Sequence, residues 1–197
     1  DPGNAEFLWE ALKTAKHPRI QVSASVSTSR MEYVYHKKAN VMLETAKSSV
    51  GVCRALCSDV EFIAEDATRA DFDYLCEIIS AVIAAGASTV TVCDTAGVML
   101  PDEFGNFISK LYERIPSLDD VVLGVRCSNA LNVADASAVM AVKAGAGEIK
   151  VTSLPSDLVS LGGIAKLISA KSDVLGVSCA VKTTEINRIL QGIERLC

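Results

Sequence analysis

No apolar run in the sequence approaches the roughly 18 to 20 residues that span a bilayer, so no membrane helix is expected. Basic residues are scarce. Nineteen Lys and Arg stand against twenty-four Asp and Glu, a net charge of -5, without the basic stripe that a phosphate backbone demands. Nucleic acid and membrane are set aside as partners. Aromatic residues make up only 5% of the chain, with one Trp. The seven cysteines are odd in number, show no CxxC spacing and mostly fall in apolar stretches. Buried free thiols in a reducing cytoplasm fit this better than a disulfide framework or a zinc site. The start, Asp1-Pro2-Gly3-Asn4, has neither Met nor the basic-then-apolar pattern of a secretory signal. A fragment or trimmed chain of cytoplasmic location is the expectation.

What is present is ordinary globular composition: half of the 197 residues are apolar and 22% charged, with 12 Gly and 5 Pro. That length buries a sizeable core without a disulfide or metal staple. Short β-rich runs alternate with longer helical ones. The strands are expected at Ile20–Ala24, Val60–Ala64, Thr89–Cys93, Val121–Val125 and Glu148–Thr152. Several are apolar at consecutive positions, as in Val121-Val122-Leu123, which suits parallel strands covered on both faces. Between them, helical spacing runs through Phe7–Ala15, Val41–Leu56, Phe72–Ile83, Pro101–Leu111, Val133–Ala144, Ile164–Ala170 and Thr184–Leu196. Gly86 and Gly145 stop two of these helices, and Pro101 opens another where a missing N–H costs nothing. The pattern is a βα repeat in one α/β domain over residues 1–197, with no linker of low complexity and no separate regulatory domain. It is either part of a parallel (β/α) barrel or a smaller open sheet, since a full barrel takes about 250 residues.

The motifs of nucleotide chemistry are missing. The turn after the first strand reads Ser23-Ala24-Ser25-Val26-Ser27-Thr28-Ser29, a polar loop instead of the glycine-rich turn of a dinucleotide fold. No P-loop or GxSxG elbow occurs. Ligands in either architecture bind at the C-terminal strand ends, where the chain places Glu65-Asp66-Ala67-Thr68-Arg69, Asp94-Thr95-Ala96-Gly97 and Arg126-Cys127-Ser128-Asn129.

Phe62-Ile63-Ala64-Glu65-Asp66-Ala67-Thr68-Arg69, Asp73-Tyr74-Leu75-Cys76, Ala85-Gly86-Ala87, Asp94-Thr95-Ala96-Gly97 and Pro101-Asp102-Glu103-Phe104-Gly105 occur in that order, with His17-Pro18-Arg19-Ile20 and Met31-Glu32-Tyr33 before them. In these motifs the chain resembles the 2-isopropylmalate synthase family and its homocitrate and citramalate synthase relatives, from about residue 5 to residue 195. The resemblance implies an HMG-CoA lyase-like TIM barrel, here incomplete, with five strands corresponding to the family's fourth to eighth. It implies a Claisen condensation of acetyl-CoA with a 2-oxo acid held on a divalent metal (Mg, Mn or Zn), which polarises the keto oxygen while a base enolises the acetyl group. Leucine biosynthesis is the process this points to. The family's metal ligands are an Asp on its first strand, absent from this sequence, and a His-x-His pair on its seventh.

At that pair the chain has Arg126 and Ser128, and a guanidinium repels a cation. Gln21 stands where the synthases carry a His, Ile63 where a Ser is usual, and Leu154–Leu161 where a glycine-rich loop ends in a ligand Asn. The two histidines, His17 and His36, lie at no strand end. No metal ligand and no bound cofactor is therefore expected. Glu65, Asp94 and Thr95 are the candidate catalytic residues, each with a bland counterpart: a salt bridge for Glu65 and a turn cap for Asp94-Thr95. Arg126, Ser128, Asn129, Gln21 and Ser23 are the candidates for binding a 2-oxo acid or other small carboxylate. Arg126 reads equally as an ion-pair partner of Glu65 that fills the place of the metal. Cys53 and Cys57, one helical turn apart, read as core packing. Tyr33, Tyr35, Lys37 and Lys38 form a loop contacting either a ligand or a subunit. Three functions remain open: a synthase-like domain without independent activity, an active acyltransferase completed by further strands, and a structural or partner-binding subunit. Unpaired sheet edges lead us to expect a homo-oligomer, a dimer in the simplest case.

Overall fold

A computed structural model describes residues 4–153 and 157–196. Five parallel strands form one sheet in chain order: β1 (Ile20–Ser25), β2 (Val60–Glu65), β3 (Thr89–Asp94), β4 (Val122–Cys127) and β5 (Glu148–Ile149). The helices are α1 (Ala5–Leu12), α2 (Thr28–Tyr33), α3 (Ala39–Leu56), α4 (Phe72–Ala84), α5 (Pro101–Arg114), α6 (Ala134–Lys143), α7 (Leu161–Leu175) and α8 (Thr183–Glu194). Sequential parallel neighbours with helical crossovers are the arrangement of a β/α barrel wall.

Alternation along the strands divides the core. Val60, Phe62 and Ala64 of β2, Val90 and Val92 of β3, and Leu123 and Val125 of β4 are fully buried on the helix-facing side. The opposite, concave face is polar: Gln21, Glu61 and Thr89 share one row, and Ser25 and Glu65 share a higher one. Arg19, just before β1, donates to Glu148 of β5 at 2.8 Å. Those strands are the two edges of the sheet, so the wall is curled and a side chain spans its hollow.

Local chemistry explains the boundaries. Asp71 caps α4 by accepting the Tyr74 N–H at 2.9 Å, and Glu103 accepts the Leu100 N–H ahead of α5. Gly86 stands at φ 107°, where an added Cβ would lie 2.6 Å from Arg54 Cγ.

Three expectations need correction. The fifth strand ends at Ile149 instead of Thr152, because the chain then folds back on itself: Thr152 N–H donates to Val159 C=O and Leu161 N–H to Thr152 C=O. The serine-rich stretch is not a loop throughout, since Ser23 and Ser25 lie in β1 and Thr28 opens α2. Helix α7 starts at Leu161 and runs to Leu175, five residues past the expected end, with a break in helical geometry at Lys171. Ser160 caps it by accepting the Gly163 N–H, and Gly163 is small because a Cβ there would meet Asp135 Oδ2 at 2.4 Å. Five of the cysteines are buried free thiols, Cys53 and Cys57 among them, whereas Cys179 is exposed. Asp1–Gly3, Leu154–Ser156 and Cys197 lie outside the described residues, and with them part of the Leu154–Leu161 loop.

Candidate functional site

Glu65 is the last residue of β2, and Arg126 lies on β4 in register with Cys93 of β3. The guanidinium reaches back across β3, and its Nη2 donates to Glu65 Oε2 at 2.6 Å. The two side chains keep 30% and 19% of their exposure, so the pair is half-buried at the rim. Of the two readings of Arg126, the structure realises the ion pair.

Ser25 lies beside Glu65 in register. It is buried, and its Oγ is the one buried side-chain polar atom without a hydrogen-bond partner among the described residues. A cavity of about 420 Å³ extends along β1 between α1 and α3, with Gln21, Ser23, Ser25 and Glu65 on one side and Tyr35 and Lys37 above.

The other candidates are committed elsewhere. Asp94 Oδ1 accepts from Thr68 Oγ1 at 2.8 Å and from the Gly97 N–H at 3.2 Å. Thr95 Oγ1 accepts the Asp66 N–H at 2.9 Å. Asp66 has left-handed geometry at φ 64°, and its carboxylate takes Arg69 in a two-pronged pair and the Ser27 hydroxyl. The Gly97 contact holds the turn after Asp94, where a cap is expected, while the Thr68 and Asp66 contacts tie in the loop after β2. Ser128 lies under Gly97, at φ 63°, where a Cβ would come within 2.9 Å of Ser128 Cβ. Asn129 Oδ1 accepts the Ala134 N–H that starts α6. Gln21 sits lower, its Nε2 donating to Glu61 Oε2 at 2.7 Å. Thus Glu65, Arg126 and Ser23 face the hollow together, while Asp94, Thr95 and Asn129 hold the loops around it.

Sequence reasoning missed a buried network deeper in the hollow. Glu61, with no side-chain exposure, accepts from Gln21, from Thr91 Oγ1 at 2.6 Å and from Lys150 Nζ at 2.7 Å. Arg19 binds Glu148 and Asp59, and Lys150 also pairs with Glu148. Burial alone would lower the Lys150 pKa, but the hydrogen bonds to Glu148 and Glu61 outweigh it and raise it. Burial would likewise raise the Glu148 pKa, and Arg19 and Lys150 reverse this and hold it low. The missed signal was alternation: Glu61, Thr91 and Glu148 fall on one face of strands that otherwise read as apolar. Burial pushes the Cys93 and Cys127 thiols up to about 12, so both stay protonated and neither is a nucleophile.

A curled parallel β/α wall with a polar hollow and a strand-end rim defines a barrel-type α/β protein. The HMGL-like family profile matches residues 4–156, and the chain belongs to that family. It is 35% identical over 195 residues to the 2-isopropylmalate synthase of Carboxydothermus hydrogenoformans, covering 97% of this chain and 38% of that one. It is 40% identical over 148 residues to methylthioalkylmalate synthase 1, chloroplastic, of Arabidopsis thaliana, covering 75% and 29%. The chain thus spans well under half the length of these relatives. Among solved structures, an HMG-CoA lyase from Acinetobacter baumannii, in complex with coenzyme A and 3-methylmalate, superimposes with a TM-score of 0.78 at 12% identity, covering all of this chain and 66% of that one. The carboxyl transferase domain of Rhizobium etli pyruvate carboxylase gives 0.67 at 16% identity, covering 96% and 31%. These likenesses establish the fold: a partial TIM-type barrel.

The resemblance to the synthases implies a divalent metal, and the donors at residues 126 and 128 can be tested for it. One is a guanidinium already paired with Glu65, the other a single hydroxyl. Among the described residues no group of three or more His, Cys, Asp or Glu is placed to hold a metal ion. The residues present do not fit the cation. No helix among the described residues is long and apolar enough to cross a membrane.

Proposed function

We propose that this chain is a 2-isopropylmalate synthase-like barrel domain that binds a small carboxylate, such as a 2-oxo acid, at its strand-end rim and lacks independent metal-dependent synthase activity. The observation that carries the reading is the Arg126–Glu65 pair. It puts a fixed positive charge where the resemblance implies a metal ligand. Only one N–H of the Arg126 guanidinium is used by Glu65, and the remaining donors suit a carboxylate in a two-pronged geometry. Ser23 offers a hydroxyl from β1 on the same concave face, and Ser128 a second from the end of β4. Glu65, neutralised by Arg126, orients the guanidinium instead of serving as a free base.

A second reading is favoured by the lengths: relatives much longer than this chain leave room for an active acyltransferase completed by further strands. The discriminating experiment titrates the chain with Mg2+, Mn2+ and Zn2+, with and without 2-oxoisovalerate, beside an acetyl-CoA turnover assay. We expect 2-oxoisovalerate to bind without added metal, Arg126→Met to abolish that binding, and no turnover to occur. Metal-dependent turnover by the chain would overturn the proposal, and absence of both binding and turnover would leave the structural-subunit reading in its place.

A further inference from the structure

Two acids of β2 face the hollow, and the rim carboxylate is the outer one. Glu61 and Glu65 are four residues apart on one strand, so alternation puts both on the concave face. Glu65 keeps part of its exposure and takes the Arg126 guanidinium. Glu61 keeps none. A carboxylate so withdrawn from water is costly unless a cation neutralises it and donors fill its lone pairs.

The donors around Glu61 divide by charge. Gln21 Nε2 at 2.7 Å and Thr91 Oγ1 at 2.6 Å are neutral. Arg19 stays 3.7 Å away, because its guanidinium is committed to Asp59 at 3.0 Å and to Glu148 at 2.8 Å. The cation in hydrogen-bonding contact is Lys150, whose Nζ lies 2.7 Å from Glu61 Oε1.

Lys150 is also the neighbour of Arg126. Val125 of β4 pairs with Ile149 of β5, each of the two cations is the next residue, and the Lys150 N–H continues the ladder onto Val125 C=O at 2.8 Å. Arg126 therefore starts in the same row as Lys150, one strand nearer to β2, and carries its charge on a stem of similar length. The Cys93 thiol marks the space between these groups: buried completely, and raised chiefly by that burial, it also responds to the charges of Arg126, Glu65, Glu61 and Lys150. Both acids thus lie in the range of the guanidinium, and its pairing with Glu65 is a choice between them.

We propose that Lys150 is a positioning residue: by neutralising Glu61 it leaves Glu65 as the acid that draws Arg126, and so keeps the guanidinium at the rim. Once the charge of Lys150 is removed, Glu61 becomes the stronger attractor, because water screens it less than it screens Glu65. Arg126 then turns down into the hollow. The loss of a bound carboxylate that follows rests on the function proposed above, whereas the choice between the two acids needs no ligand.

Double-mutant cycles on the intact chain, read by urea unfolding at neutral pH, test this. In the parent, the midpoint shifts caused by Arg126→Met and Glu65→Gln are expected to be less than additive, which marks the pair. In the Lys150→Gln background they should become additive, with the Arg126→Met shift larger than in the parent and the Glu65→Gln shift close to zero. Adding Glu61→Gln to Lys150→Gln should bring the non-additivity back, and Lys150→Arg should keep it. In a calorimetric arm, Lys150→Gln should weaken 2-oxoisovalerate about tenfold, and Glu61→Gln in the same chain should recover it. The proposal is overturned if the Arg126–Glu65 coupling persists in Lys150→Gln, as it would were Glu61 to take up a proton or Lys150 to serve packing alone. It is overturned too if Glu61→Gln fails to restore a lost coupling, or if Lys150→Gln does not fold, since Arg126 has then not taken up Glu61. A parent chain that shows the coupling but does not bind 2-oxoisovalerate would count against the carboxylate reading and leave the role of Lys150 standing.

Discussion

Single side chains decide what the rim can do. Arg126 and Glu65 are both half-buried, so removing one partner strands the other in a poorly hydrated place. Arg126→Met should destabilise the chain by about 1 to 2 kcal/mol, below the cost of breaking a fully buried pair, while Glu65→Gln, which keeps an acceptor for the guanidinium, should cost less. Urea unfolding of the two variants measures the difference, and equal costs would contradict the asymmetry. Gly124 is a sharper case. An added Cβ would lie 2.4 Å from Thr91 Oγ1, the hydroxyl that donates to the buried Glu61. Gly124→Ala must displace that donor, and a loss of about 1 to 3 kcal/mol in the same unfolding assay is expected.

At the scale of elements, the hollow is closed by charge instead of by apolar packing. Arg19, Glu61, Glu148 and Lys150 tie the region before β1 to β2 and β5. The directions of their pKa shifts set the pH window. Glu148 is held below its ordinary value, burial notwithstanding, by Arg19 and Lys150, so its contribution is present above the usual glutamate range and is lost as pH falls through the lowered value. Lys150 is raised against the effect of burial by Glu148 and Glu61, so its contribution is complete below the usual lysine value and is lost as pH rises through the raised one. Melting temperature should therefore be flat across neutral pH and fall at both extremes, and Glu148→Gln should flatten the acid limb. An unchanged acid limb would exclude Glu148 as its source. The elements themselves were legible where apolar periodicity was strong, as in β2, β3 and α3 to α6. Helix α2 was hidden because Met31 is its one buried residue, and the start of α7 because Gly162 and Gly163 mask a helix that begins at Leu161 after its cap Ser160. The ion pair at the rim was one of two readings that Arg126, at a strand end near Glu65, allowed. The network below it was not, because its seven charged and polar residues come from stretches far apart in sequence and meet only when the sheet curls.

For the whole molecule, a partial barrel leaves apolar surface without a neighbour. Helix α8 carries Ile186, Ile189, Leu190 and Ile193 at helical spacing, yet none of them is buried. Val174 on α7 and Ile189 on α8, at 76% and 51% exposure, leave apolar side chains on the surface of both helices. The β1 edge differs: α1 and α3 flank it, and its cavity is lined by hydroxyls and charges. Association should therefore run through α7 and α8. Sedimentation of the chain as given is expected to show a dimer or larger species, and the double substitution Val174→Lys/Ile189→Lys should shift it to monomer without lowering the melting temperature of the β/α wall. A parent chain that stays monomeric at high concentration would contradict this, and so would a variant that remains associated.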